Sequence, residues 1–288
     1  MTTVVAALDP TAVAEEPEQL ALVLARATGA DLVLATVCPL IHLRSHVHAR
    51  HYETLLRQEA ERFLVERASA LRAEAPDTTV ATRTVGAASA ARGLHRLARE
   101  LDASLVVLGP SRRPAGRVLP GPMGSRFAHG APCPVAVASA GGAIGGLSRI
   151  GVAFAPTDDG MRALQVGAEL AGQTGATLHV IAVVAPLPWM DLVQPEFDGT
   201  SLQELYAGHI RYTLDNAIAD LPMAIEPETE LPNGDPVEIL ARASADLDLL
   251  VCGSRGHGPL GEVVLGSISH ALLETVHCPV LVVPRAGG

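Results

Sequence analysis

Short aliphatic runs alternate with longer amphipathic segments along the whole chain. In the second half, the runs that predict strands are RIGVAFA, TLHVIAVV, a weaker one near AIEPETEL, DLLVCG and PVLVV. Between the first two, MRALQVGAELAGQTG has apolar residues at helical spacing, and its final residue, Gly175, is typical of a helix C-terminus. Strands that alternate with helices predict βαβ units with right-handed crossovers and a parallel sheet. A ligand of such a sheet is expected at the carboxyl ends of the strands.

The same pattern occurs twice, with similar sequence blocks in the same order. ARATGADLVLATV, starting at Ala25, resembles AGQTGATLHVIAV, starting at Ala171, at an offset of 146 residues. Further on, ASLVVLG matches LDLLVCG, and APCPVAVAS matches VHCPVLVVP. These matches indicate a tandem duplication. We predict two domains, 1–140 and 149–288, each a doubly wound, Rossmann-like α/β domain with a five-stranded, mainly parallel sheet.

Composition narrows the class of partner. Hydrophobic residues make up 48% of the 288 residues but aromatic ones only 3%, as expected for a core of Ala, Val and Leu around buried parallel strands. The formal net charge of −10 argues against a nucleic-acid partner, since neutralising phosphates needs a basic face. The chain contains no lysine, which excludes a Walker-type P-loop and Schiff-base catalysis.

Cysteine use and the N-terminus point to a cytoplasmic protein. The four cysteines form no C-x-x-C pair, and most lie in or beside apolar runs, so buried, reduced thiols are expected. The N-terminal TTVVAALD has neither a basic region nor a hydrophobic signal core. No apolar run approaches the roughly 20 residues of a membrane span, so we expect no membrane partner.

A glycine-rich loop follows the strand DLLVC in the second half. Its spacing is Gly253, two residues, Gly256, nine residues, Gly266 and Ser267. Glycine tolerates positive φ and lets the backbone approach a ligand closely, so consecutive amides in such a loop can form an anion-binding nest. A plain turn is the alternative reading. Backbone and hydroxyl donors of this kind can hold phosphates without a lysine.

The helix after this loop strengthens the prediction of a phosphate site. We predict that Ser267 is the N-cap of the helix ISHALLETVH, with Ile268, Leu272 and Val276 on one apolar face. A phosphate at its N-terminus would meet free N–H groups and the positive end of the helix dipole.

With these motifs the chain resembles a tandem universal stress protein of the UspA-like family, over nearly its whole length. The most specific match is the family's nucleotide loop, G-x2-G-x9-G-S/T. The resemblance implies a fold like that of the adenine-nucleotide alpha-hydrolases and, in many members, bound ATP or AMP. In ATP-binding members an acidic residue ends the first strand and meets the nucleotide, and a Val or Ile ends the second strand and holds the adenine.

Carried over to the second half, the resemblance gives an incomplete site. Val183 takes the adenine position, but the spacing back through Gly175 puts Ala155 where the acidic residue belongs. Pro156 lies beside it, and Asp158 becomes the substitute acid if the turn is longer than usual. A missing acid should weaken ribose or metal contacts more than phosphate binding.

Three further loop residues, Ser254, Arg255 and His257, complete the second-half candidates. His257 either lies beside the phosphates and makes the site pH-sensitive or faces solvent.

The first half is incomplete in the opposite way. Asp9 and Val37 match the acidic and adenine positions, and Gly109 keeps the first glycine of the loop. The next loop glycine is replaced by Arg112, and four prolines crowd the segment, each removing an N–H donor. We expect no nucleotide in this half, unless Arg112 or Arg113 pairs directly with a phosphate.

Two other features have ordinary explanations. The run HLRSHVHARH contains His42 and His46 at i, i+4, but no carboxylate or cysteine accompanies them, so a solvated surface segment is preferred over a metal site. Trp189, the single tryptophan, is assigned to packing or an interface. No Ser-His-Asp set or carboxylate pair stands out, so no catalytic residue is named.

We therefore expect a regulatory protein that binds ATP or AMP, with or without magnesium, mainly in the second half. The alternatives are a slow ATPase or nucleotide-using transferase on the same fold, and a scaffold that binds no nucleotide. The final strands of the two halves are candidate sheet edges, and the resemblance implies that they pair within the chain as a pseudo-dimer. Two chains can associate further as a homodimer, and the protein partners are not identified.

Overall fold

The computed structural model describes residues 2–11, 15–40, 46–110, 126–141, 145–186, 199–221, 225–254, 263 and 265–284, with backbone only for 46–50 and 199–202. Strands and helices alternate as the sequence pattern predicts. The first-half elements are β1 Thr3–Ala7, α1 Glu16–Thr28, β2 Asp31–Pro39, α2 His46–Glu74, β3 Val80–Ala87, α3 Ala90–Glu100, β4 Ala103–Leu108 and β5 Val135–Val137.

The second half repeats this order with two further described elements, a short 3-10 turn before its fourth strand and a helix between its last two strands. Its elements are β6 Arg149–Phe154, α4 Asp158–Thr174, β7 Thr177–Ala182, α5 Gly199–Ala219, β8 Glu228–Glu230, α6 Pro236–Ala243, the 3-10 turn Ser244–Asp246, β9 Leu249–Gly253, α7 Ser267–Thr275 and β10 Val280–Val283. In the described part of the chain, no helix is long and apolar enough to cross a membrane.

The strands form one ten-stranded sheet in the order β3-β2-β1-β4-β5-β10-β9-β6-β7-β8. Each half contributes five strands that pair in parallel. The halves meet where β5 and β10 pair antiparallel, with Ala136 opposite Leu281. The sheet is therefore α/β and doubly wound in each half, as predicted, and the final strands of the halves are not exposed edges.

Helices cover both faces of the sheet, and each face has its own hydrophobic core. Residues of the strands point alternately to the two faces, so Val4 and Ala6 pack with α1, α2, α4 and α5, while Val5 and Ala7 pack on the side of α3, α6 and α7. This placement leaves the helix N-termini at the carboxyl edge of the sheet, where each half has a pocket.

The first helix of each half ends at a glycine in the left-handed region. Gly29, after α1, has φ 62°, and Gly175, after α4, has φ 73°. Only glycine adopts this conformation without strain, so the repeated T-G-A sequence is a helix stop in both halves.

Glycines inside the helices are not equivalent, and this can be tested. A Cβ at Gly167 of α4 would overlap a methyl group of the buried Val152, whereas a Cβ at Gly208 of α5 would meet nothing within 4 Å. Gly167→Ala should lower the free energy of unfolding by about 1–3 kcal/mol. Gly208→Ala should raise it by up to about 1 kcal/mol, because alanine favours the helix. Urea unfolding measures both, and equal effects would contradict the packing of α4 on β6.

Three cysteine thiols are buried, and the prediction of reduced cysteines agrees with the free thiols of the structure. Burial raises the pKa of Cys133, Cys252 and Cys278 from 9.0 to about 12. The folded state therefore holds these protons more tightly than the unfolded state does.

Because the folded pKa is the higher one, this contribution to stability is complete below pH 9 and lost as the pH rises from 9 towards 12. We expect the free energy of unfolding to fall across that window, by at most about 1.4 kcal/mol per pH unit for each thiol. A variant with all three cysteines replaced by alanine should show a smaller decrease in the free energy of unfolding over the same pH range. Parallel pH profiles for the two proteins would show that the thiols do not cause the loss.

Candidate functional site

A pocket of about 240 Å³ lies at the carboxyl edge of the second-half sheet. It is built from the ends of β6 and β9 and the beginnings of α4 and α7. Its lining residues are Ala153, Ala155, Thr157, Asp159, Gly160, Cys252, Gly253, Ser254, Gly266, Ser267, Ile268, Ser269 and Leu272. We call it the second-half pocket. It contains most of the described part of the predicted glycine loop and the start of the helix that follows.

Two helices direct their N-termini into this pocket. At the start of α4, the Thr157 hydroxyl oxygen accepts a hydrogen bond from the Gly160 N–H at 3.2 Å, so Thr157 is the N-cap. At the start of α7, the first intrahelical bond runs from the His270 N–H to the Gly266 carbonyl, 2.9 Å. The amides of Ser267, Ile268 and Ser269 precede it and have no carbonyl partner within their helix. The positive ends of two helix dipoles therefore meet at one pocket.

The capping of α7 differs from the sequence prediction. Gly266, with an extended backbone, occupies the N-cap position, and Ser267 is the first helical residue. The hydroxyl oxygen of Ser269 accepts the Gly266 N–H at 2.8 Å and so performs the reciprocal half of a capping box. The prediction that Ser267 is the N-cap was wrong by one residue, which leaves its exposed side chain free of a capping role.

The apolar face predicted for this helix is also corrected. Leu272 and Val276 are fully buried, but Ile268 is 47% exposed and lies at the pocket instead of in the core. Because Ile268 is in the first turn, its side chain extends beyond the part of α7 that covers the sheet.

Two glycines allow α4 and β9 to approach closely enough to form the pocket. A Cβ at Gly253 would lie 2.6 Å from the Cβ of Asp159, and a Cβ at Gly160 would overlap the carbonyl oxygen of Ala155. Gly253 is therefore needed for packing against the first turn of α4, in addition to any contact with a ligand. The sequence T-D-D-G carries a capping signal that identifies Thr157, but the packing role of Gly160 has no sequence signature.

Of the predicted loop between Gly253 and Gly266, the structure describes only Ser254, Val263 and Leu265. The Ser254 amide donates to the carbonyl of Val283 on the neighbouring strand at 2.9 Å, so it is used within the sheet. Arg255, Gly256 and His257 lie outside the described residues, as do Arg112, Arg113, His42 and Trp189.

Some of the remaining second-half candidates line the pocket and others do not. Ala155 lines the pocket, but Val183 and Pro156, both half-buried, do not. Val183 directly follows β7, the strand next to β6, and packs on the core beneath α6 and α7. Asp158 is exposed at the start of α4 and is outside the lining, whereas its neighbour Asp159 is buried and inside it. Sequence register alone did not reveal Asp159.

The first half has a pocket of about 270 Å³ at the corresponding edge of the sheet. It brings together Asp9 and Val37, the residues predicted for the acidic and adenine positions. The Asp9 carboxylate accepts hydrogen bonds from the backbone N–H and the hydroxyl of Thr11, at 2.9 and 2.7 Å. Val37 lies inside β2, which continues to Pro39, and not at its end.

Gly109 follows β4 but does not line this first-half pocket. Its Cα faces the ring of Pro17 in α1, with 3.4 Å between a Cβ placed there and the Pro17 Cγ. Pro17 and Asp159 are both the second residue of the first helix in their halves, so they occupy equivalent positions beside equivalent glycines.

One described residue of the second-half loop, Val263, contacts the first half. Val263, between Gly256 and Gly266, is fully buried and pairs with Ala131. The Val263 N–H donates to the Ala131 carbonyl at 2.9 Å, and the Gly130 N–H donates to the Val263 carbonyl at 2.8 Å. Phe127 and Ala128 belong to the same buried cluster. The position of Val263 thus depends on residues of the first half.

Within the described ranges, no group of three or more His, Cys, Asp or Glu residues could hold a metal ion. His51, the described member of the histidine run, is exposed on α2.

The fold and the strand-end pockets define a tandem α/β protein of the Rossmann-like type. The model of the universal stress protein family matches residues 1–139 and 146–284. The chain therefore belongs to the universal stress protein family, as its loop motif indicated.

Known proteins agree with this assignment. The universal stress protein Rv2005c of Mycobacterium tuberculosis is 30% identical over 194 residues, which cover 63% of this chain and 62% of that protein. A Thermus aquaticus universal stress protein is 30% identical over 134 residues, covering 46% of this chain and 95% of its own. For the mycobacterial relatives, the matched stretches span 39% to 62% of their lengths.

The fold is shared with solved structures over almost the whole chain. A universal stress protein from Archaeoglobus fulgidus superposes with a TM-score of 0.67 at 20% identity, covering 99% of this chain and 96% of that one. A Pseudomonas aeruginosa chain of the same description gives a TM-score of 0.68 at 19% identity, covering 98% and 92%.

The capping of α7 predicts different effects on stability for substitutions of its two serines. Ser269→Ala removes the acceptor of the Gly266 N–H and should cost about 1 kcal/mol of unfolding free energy. Ser267→Ala, at an exposed first helical position, should change it by less than about 0.5 kcal/mol. Denaturant unfolding without nucleotide measures both. The reverse order of costs would restore Ser267 as the N-cap.

Proposed function

We propose that this protein is a stress-response regulator that binds an adenine nucleotide, ATP or AMP, mainly in the second-half pocket. The observation that carries the proposal is the convergence of the N-termini of α4 and α7 with the glycine end of β9. Family membership supports it, because the resemblance to nucleotide-binding members rests on the loop glycines of this same half.

The phosphate subsite is assigned to the first turn of α7. The amides of Ser267, Ile268 and Ser269 lie before the first intrahelical bond, and the exposed Ser267 hydroxyl adds a side-chain donor. Fixed N–H groups and a helix dipole bind phosphate without a lysine, which this chain lacks. Gly256 of the loop is assigned to the same subsite from its motif.

The adenine subsite is assigned to Val183 by the family resemblance. Val183 follows β7, and β7 pairs with β6, whose end lines the pocket. Val183 lies outside the lining of the second-half pocket, so an adenine bound there would extend beyond the pocket, past Ala155 and Pro156. In the first half the same subsite has Asp9 and Val37, but we propose no nucleotide there.

Regulation is preferred over catalysis because no general base has been assigned at the second-half pocket. Ala155 occupies the position where the resemblance places an acidic residue. A slow ATPase remains the second candidate, since Asp159 does supply one carboxylate to the lining. Phosphate release from ATP by purified protein, compared with Ser267→Asp, separates the two: turnover that disappears in the variant supports the enzyme.

The proposal is tested by identifying what the protein binds. Nucleotide extracted from undialysed protein is analysed by mass spectrometry, and ATP and AMP are titrated calorimetrically into the stripped protein. We expect an adenine nucleotide in the extract and saturable binding of one equivalent per chain. An empty extract with no heat of binding would favour the scaffold alternative.

A substitution in the second-half pocket tests which half of the chain binds the nucleotide. Ser267→Asp places a carboxylate at the phosphate subsite, and an acidic residue in a first turn does not disturb the helix. We expect at least about tenfold weaker binding of AMP and ATP from charge repulsion. Two controls should stay within about twofold of the wild type: His270→Asp, exposed on the same helix outside the pocket, and Asp9→Asn in the first-half pocket. Loss of binding in Asp9→Asn alone would move the site to the first half.

A further inference from the structure

A buried acidic residue lies in the second-half pocket beside the proposed phosphate subsite. Asp159 is 2% exposed and lines the pocket together with Ser267 and Ser269. Its Cβ packs against Gly253, where a Cβ would lie only 2.6 Å away. Asp159 is thus fixed by packing between α4 and the end of β9.

Asp159 lies in the first turn of α4. It is the second residue of the helix, where the positive end of the helix dipole interacts favourably with a carboxylate. The first turn of α7, in contrast, contains no acidic residue.

The equivalent position of the first half carries no charge. Pro17, the second residue of α1, packs beside Gly109 as Asp159 packs beside Gly253. The buried acidic residue of α1 is the next one, Glu18, and it is ion-paired with Arg67 of α2. A buried acidic residue at this position of the first helix is therefore a property of the second half, whereas the carboxylate of the first-half pocket belongs to Asp9, which follows β1.

We propose that Asp159 is a specificity-determining residue, which makes the second-half pocket favour a nucleoside monophosphate over a triphosphate in the absence of a divalent cation. The inference rests on the proposed nucleotide site. In the proposed site, one phosphate is held at the start of α7. The further phosphates of a triphosphate add negative charge in a pocket that already contains a buried carboxylate, where repulsion is weakly screened. A divalent cation bound to the triphosphate would offset that charge.

The experiment measures the dissociation constants of AMP and ATP by calorimetry, in EDTA and then in excess Mg²⁺. Wild-type protein in EDTA should bind AMP at least about tenfold more tightly than ATP, and Mg²⁺ should reduce that ratio. Asp159→Asn keeps the side-chain shape and removes the charge. It should tighten ATP binding in EDTA about tenfold while changing AMP binding less than about threefold.

Glu169→Gln is the matched control, because Glu169 is an exposed acidic residue of the same helix and lies outside the pocket lining. It should leave both dissociation constants within about twofold of the wild type. Unfolding curves verify that Asp159→Asn is folded. If the variant is unfolded, the proposal is tested on the wild-type protein alone, by the ratio of its AMP and ATP dissociation constants and by the change of that ratio with Mg²⁺.

Two results would overturn the role of Asp159 and leave the nucleotide site intact. One is wild-type protein that binds ATP as tightly as AMP in EDTA, and the other is an Asp159→Asn variant whose ratio of AMP to ATP affinity equals that of the wild type. If neither nucleotide binds the wild type or either variant under any condition, the proposed function fails, and this inference fails with it.

Discussion

The structure depends on the antiparallel pairing of β5 with β10, where the two sets of parallel strands in the described sheet meet. These backbone hydrogen bonds connect two five-stranded sheets into one and cover an edge in each half. The same seam brings residues 126–131 against Val263, so that this residue of the second-half loop is held by main-chain bonds from the first half. This gives the first half a physical role even where its own loop has lost glycines.

The second-half pocket follows from how closely its helices approach the strand ends. Gly253 and Gly160 remove the side chains that would separate α4 from β9 and from Ala155. Thr157 and Gly266 cap the two helices so that both first turns face the same space. The result is a pocket where two helix N-termini meet, with the buried Asp159 beside them. Backbone amides at helix N-termini support the proposal of an anionic ligand.

Local patterns were sufficient to predict the fold from the sequence. Aliphatic runs predicted the strands, and Gly175 predicted the end of α4, because both depend on neighbours in sequence. The Val263–Ala131 contact, the burial of Asp159 and the cap by Ser269 were not predictable. Each depends on tertiary packing, and Asp158 and Asp159 cannot be distinguished until the register of α4 on β9 is known. For Val183, the sequence predicted a position at the end of the second strand of its half. It did not show that the side chain lies outside the pocket lining.

The central claim is that the first turn of α7 binds the phosphate of an adenine nucleotide. Amide hydrogen exchange measured with and without saturating AMP tests it most directly, because it reports on the backbone N–H groups themselves. The account predicts slower exchange confined mainly to the second-half loop and the first turn of α7, including Ser267, Ile268 and Ser269. Protection around Asp9 and Val37 instead, or no change anywhere in the chain, would contradict it.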